Sequence, residues 1–158
     1  MYLFIGGGYI INIYTKQEII NSLDKSKYAS RYKLYNTCLE QHETRWKYGH
    51  RFKYEEKLRL DGIKHFAFIK FYIAKNGDKI GLVAGKSASK NVIGKSDLNF
   101  SLNPNHGLAR RFLEAEKMEW CKTEVIIIGA EAMDDKENRK EAFKIERDLK
   151  SMFNLLGS

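Results

Sequence analysis

Residues 65–87, HFAFIKFYIAKNGDKIGLVAGKS, decide how this chain folds. From His65 to Ala74 the side chains alternate and are rich in aromatic types, which suits a strand whose successive residues point to opposite faces. Asn76-Gly77 follows, a pair that favours a tight hairpin because both residues tolerate the positive φ such a turn requires. Lys79 to Ala84 is then the returning strand.

Outward from this hairpin the other elements are less sharply drawn. The start of the chain, up to Thr15, has room for a short strand, and Lys16 to Leu60 reads as mostly helical, with breaks near Asp24 and Gly49. Lys86 to Asn105 is a long polar loop. His106 to Glu119 reads as a helix and Glu124 to Gly129 as a buried strand. Asp134 or Asp135 caps a last helix, Lys136 to Phe153, where an aspartate side chain accepts from the first free amides. The expected class is α+β, with residues 1–60 a basic helical extension and residues 61–158 a small layered core.

A chain of 158 residues with 43% hydrophobic and 30% charged side chains has enough apolar surface for a real core. Apolar runs such as Val125 to Ile128 are far too short to span a bilayer, and Met1 to Ile13 lacks the basic start of a signal peptide. Cys38 and Cys121 are no disulfide framework, so a reduced, cytoplasmic setting is expected. The net charge of +8 is uneven. Residues 1–60 hold eleven Lys/Arg against six Asp/Glu, and residues 75–111 hold seven against two, Lys90 among them. From Phe112 onward there are eight against eleven. Two basic regions raise the prior for a phosphate-bearing partner, although such an excess also serves plain solubility.

In the first region cations alternate with rings: Lys27, Tyr28, Arg31, Tyr32, Lys33, Tyr35, then Arg45, Trp46, Lys47, Tyr48, Arg51, Phe52, Lys53 and Tyr54. Arg31, Lys33, Arg45, Lys47, Arg51, Lys53 and the loop residue Lys90 are the expected nucleic-acid contacts. Tyr28, Tyr32, Tyr35 and Leu39 also fit a helical core stripe, so some of these rings have an inward alternative.

The last helix holds an acid where apolar residues belong. At about 100° per residue, Ala142, Ile145, Leu149, Met152 and Phe153 share a face, and Glu146 falls between Ala142 and Phe153. A carboxylate there needs a cation, a metal or several donors, unless its stem packs while its head reaches water.

Several sites are excluded. Gly81 to Ser87, GLVAGKS, has three residues between its glycines where a phosphate-binding loop needs four, and a hairpin strand leads into it. His42-Glu43 lacks a second histidine at Trp46, and the triple glycine 6–8 is followed by no dinucleotide-binding helix.

The chain from about Lys70 onward resembles the GIY-YIG nuclease family. Lys70-Phe71-Tyr72 stands where its first motif would be and Val83-Ala84-Gly85 where its second would be, eleven positions separating Tyr72 from Val83. Lys86-Ser87 is similar to the GKS that often follows. Arg110-Arg111, the strand at Val125 to Ile128, and Glu146 followed by Asn154 continue the order. Lys70 replaces the glycine of the first motif and Val83 the tyrosine of the second. The insertion between Gly85 and Arg110 resembles the restriction-enzyme branch.

The resemblance implies a three-stranded antiparallel sheet flanked by helices and a Mg²⁺-dependent (or Mn²⁺-dependent) endonuclease, restriction-type on duplex DNA. Glu146 would hold the metal through one carboxylate, and Arg110 or Arg111 would fork onto the scissile phosphate. Tyr72 would act as general base beside Lys86, His106 would share proton work, and Asn154 would brace the site. Each has a plainer reading: Tyr72 as a strand aromatic, the arginines as solvated helix residues, Asn154 as a helix terminator. A module that keeps the fold without turnover is the alternative, a basic partner-binding protein a third. The expected partners are DNA and no membrane, with a homodimer left open.

Overall fold

The computed structural model describes residues 2–5, 9–41, 48–52, 65–87, 100–101, 119–132 and 134–157. Its elements are β1 (Tyr2–Ile5), β2 (Tyr9–Asn12), α1 (Lys16–Asp24), β3 (Tyr32–Gln41), β4 (Tyr48–Phe52), β5 (Phe66–Ile73), β6 (Lys79–Ser87), β7 (Phe100–Ser101), β8 (Glu119–Gly129), α2 (Asp135–Phe153) and β9 (Leu156–Gly157). The class is α+β.

The hairpin forms where the turn residues place it. Gly77 takes φ of 87°, its amide donates to the Ala74 carbonyl at 2.9 Å, and Ala74 N–H donates back to Asp78 at 2.9 Å. A glycine is favoured there because a side chain would be strained at that φ. β8 pairs antiparallel with the other edge of β5, so the buried Val125–Ile128 run lies at the middle of the sheet.

The expected three-stranded sheet is wider. Four antiparallel strands, β3-β8-β5-β6, make its centre; β4 and β7 continue it beyond β3, and β9 joins β6 in parallel. The added central strand is β3, in a segment expected to be helical. Of the 1–60 extension, only α1 is a helix among the described residues, and Tyr32 to Gln41 is strand. Tyr28, Tyr32 and Tyr35 are spaced for one face of a helix, but in a strand Tyr32 and Tyr35 face opposite ways. Tyr28 ends up in the turn before β3, while Tyr32 and Leu34 pack on the core from one face of β3 and Tyr35 is buried on the other. Pairing with β8 overrides the weak helical pattern. β1 and β2 form a separate antiparallel ribbon. The helix expected at 106–119 lies outside the described residues up to 118, and Glu119 begins β8.

Both helices cover one face of the sheet. α1 begins with a capping box in which Thr15 Oγ1 accepts from Glu18 N–H and Glu18 Oε1 accepts from Thr15 N–H. It buries Ile19 and Leu23. α2, capped by Asp134, buries Ala142, Ile145, Leu149 and Phe153. Ile19, Leu23, Ile145, Leu149 and Phe153 join Ala67, Ile69, Phe71, Ala84, Ile126 and Ile128 in a single cluster. Each large member contributes about 1.5–3 kcal/mol by leaving water, so truncating Phe153 to Ala would cost roughly 3–5 kcal/mol.

Strand register defines the two faces. Tyr32, Ile128, Ala67 and Lys86 form one cross-strand row, and Leu34, Ile126, Ile69 and Ala84 the next, on the helix-covered face. The rows Lys33–Ile127–Phe68–Gly85 and Tyr35–Val125–Lys70–Val83 belong to the opposite face.

Candidate functional site

Glu146 is buried on α2, with 8% of its surface exposed. Its Oε1 meets Lys150 Nζ at 2.6 Å, one turn along the helix, and this ammonium compensates the inward carboxylate. Lys86 lies on the same side of the sheet as α2. Its Nζ sits 4.7 Å from the ring centre of Phe143, and the Arg147 guanidinium lies 5.3 Å from that ring. Phe143 is the one exposed large hydrophobic side chain among the described residues, at 46%. Two cations from different elements therefore bracket an exposed ring, an arrangement favoured by the ring's quadrupole.

Tyr72 is elsewhere. It is buried, 4% exposed, and strand alternation sets it with Phe66, Phe68 and Lys70 on the face away from α2. β5 is irregular between Lys70 and Tyr72, yet Phe71 stays in the helix-side cluster with Ala67 and Ile69, so the alternation persists to Tyr72. Burial pushes its phenol above the ordinary value, further from a base at neutral pH. Lys70 and Val83, which replace the motif glycine and tyrosine, are direct cross-strand partners on that same far face. Burial lowers the Lys70 ammonium to about 8, and it lies 5.1 Å from the Phe68 ring.

Asn154 ends α2. With φ of 52° and ψ of 41° it adopts the left-handed cap that asparagine tolerates, and its Nδ2 donates to the Asn12 carbonyl at 3.2 Å. His106, Arg110, Arg111, Lys90, Arg45, Lys47 and Lys53 lie outside the described residues; Arg51 is in β4. Lys33 is exposed on β3.

Arg31, expected at a nucleic-acid surface, is turned to internal use. Its Nη2 donates to Gly129 O at 2.8 Å and to Glu141 Oε1 at 2.5 Å, and its Nε is 3.3 Å from Glu131. It ties the start of β3 to β8 and α2, and moving it to a phosphate would strip Glu141 of its cation. Tyr28 and Tyr32 are likewise engaged, their hydroxyls donating to Asp148 at 2.5 Å and Asp24 at 2.6 Å.

Glu146 is a single carboxylate held by a lysine, and no group of three or more His, Cys, Asp or Glu among the described residues could hold a metal ion. No described helix is long and apolar enough to cross a membrane.

The charge count concealed one surface. The segment from Phe112 onward is acidic in total, yet Lys136, Arg139, Lys140, Lys144 and Arg147 of α2 are all exposed. Plotting that helix by charge as well as by hydrophobicity would have found them. The chain matches no protein-family model, no curated protein and no solved structure. The likeness to the GIY-YIG nucleases rests on the residues quoted for it.

Proposed function

We propose that this chain is a nucleic-acid-binding protein that shares the element order of the GIY-YIG nucleases and works without phosphodiester hydrolysis. The observation that carries this reading is the separation of Tyr72 from Glu146 by the sheet. A general base and a metal-bearing carboxylate must reach one phosphate, the base within about 3 Å of the proton it takes. A side chain on one face of a sheet and a side chain of a helix packed over the other face do not converge in that way. The net charge of +8 and the cations around Phe143 support binding itself.

A Mg²⁺-dependent DNA endonuclease is the second reading. It is favoured by Glu146, an acid buried on the helix that shares its side of the sheet with Lys86. Here His106, Arg110 and Arg111 would supply the proton and phosphate contacts in place of Tyr72, and Lys150 would yield the carboxylate to the metal.

One pair of assays tests both. Supercoiled plasmid is incubated with the protein in Mg²⁺, in Mn²⁺ or in chelator, beside Glu146→Ala, and binding to labelled DNA is followed by anisotropy as salt rises. Salt-sensitive binding without nicking is expected. Metal-dependent nicking that Glu146→Ala abolishes would replace this conclusion by the endonuclease, and absence of binding would overturn both.

A further inference from the structure

We infer that the outward face of α2, centred on Phe143, is the surface that docks duplex DNA. This inference rests on the nucleic-acid reading above and assigns it a place. At about 100° per residue, Lys136, Arg139, Lys140, Lys144, Arg147 and Lys150 fall within roughly 140° of arc, with Phe143 near the middle. All but Lys150 are exposed, and Lys150 is half-buried. Along the axis they run for about 21 Å at 1.5 Å per residue.

The acids of the helix are kept off this stripe. Glu141 and Asp148 occupy a flank where they meet Arg31, Tyr28 and Lys27, and Glu146 turns inward to Lys150. Glu137 sits at the margin beside Lys140, at 3.3 Å. Glu141 and Asp148 are thus met by groups away from the stripe, Lys140 and Lys150 are shared with Glu137 and Glu146, and Lys136, Arg139, Lys144 and Arg147 leave the solvent side net positive.

The shape selects among polyanions. A single helix with cations along its outer side suits the major groove, about 12 Å wide, where the ammonium and guanidinium groups meet phosphates on both rims. One ring is too few for a single-strand platform, which stacks successive bases on several aromatics. The ring is suited to an apolar contact such as a thymine methyl. A membrane surface is disfavoured because the apolar face of α2 already packs on the sheet, leaving Phe143 alone to insert. Lys86 adds a cation to the same patch from β6.

The test uses the full chain and a labelled duplex about two helical turns long, titrated by anisotropy in chelator so that hydrolysis cannot contribute. The triple variant Arg139→Ala, Lys140→Ala, Lys144→Ala changes exposed positions to the best helix former, and circular dichroism confirms its fold. Its affinity should fall roughly tenfold or more, and the slope of log K against log salt should lessen by about 2.7, near 0.9 for each lost phosphate contact. Phe143→Ala should weaken binding with the slope kept.

A triple variant with wild-type affinity and slope would overturn the surface and leave the proposed function standing. Nicking by the wild type in Mg²⁺ would do the converse. Equal or tighter binding to anionic phosphatidylserine vesicles than to duplex, lost in the same variant, would overturn DNA as the occupant. A wild type that binds no duplex would overturn surface and function together.

Discussion

Tyr72 and Glu146 lie on opposite faces of one sheet, the first beside Lys70 on β5 and the second under the helix that packs on Ile69 and Ala84. Phe71, between them in sense, points to the helix while its neighbour Tyr72 does not. Removing the Tyr72 hydroxyl should therefore leave duplex affinity unchanged within about twofold, and any nicking unchanged too. Tyr72→Phe assayed beside wild type for binding and plasmid nicking checks this; a selective loss of cleavage would restore the tyrosine to a catalytic role.

Glu124 joins three elements, accepting from Lys16 of α1 at 2.8 Å and from Lys79 of β6 at 2.5 Å while itself on β8. Burial alone would raise its carboxyl, but the two lysines prevail and hold it below the ordinary range. A carboxyl lowered by folding stabilises the native state above its unfolded value, and that stability is lost as pH falls through the folded one. Glu124→Gln should cost about 1–2 kcal/mol near neutral pH. Urea unfolding repeated toward acid should show the wild type converging on the variant.

Lys70 has the opposite sign. Its ammonium, lowered to about 8 by burial, disfavours folding while charged, so the unfolded chain binds the extra proton. Wild-type stability should rise between about pH 8 and pH 10 as this charge is removed in the native state. Lys70→Met should raise stability near neutral pH by about 1–3 kcal/mol and lose that rise. Chemical denaturation across the pH range measures both.

Gly81 is set by contact rather than by conformation. A Cβ there would run into Ile19 Cδ1 of α1 and come within 3.4 Å of Leu155. Both neighbours are buried, so Gly81→Ala should cost about 1–3 kcal/mol through overpacking. Ile19→Val deletes the obstructing methyl. The double variant should be more stable than Gly81→Ala alone, and urea unfolding of the four species gives the coupling.

Local chemistry determined part of this protein before any packing. Asn76-Gly77 specifies the β5–β6 turn because the φ of 87° at Gly77 would strain any residue with a Cβ, and Asp134 with the stripe Ala142, Ile145, Leu149 and Phe153 specifies α2 and the inward place of Glu146. The α+β class follows from these two elements and the Val125–Ile128 run. Tertiary structure decided the rest. β3 is a strand because β8 offers it a partner, a fact that one segment's periodicity cannot contain when Tyr32 and Tyr35 are to be buried on different faces. Which face of the sheet the helices cover decides that Tyr72 turns away from Glu146. The same packing turns the core face of α2 inward and sets Glu141, Asp148 and Glu146 against Arg31, Tyr28 and Lys150, which leaves Lys136, Arg139, Lys144 and Arg147 on the solvent side around Phe143.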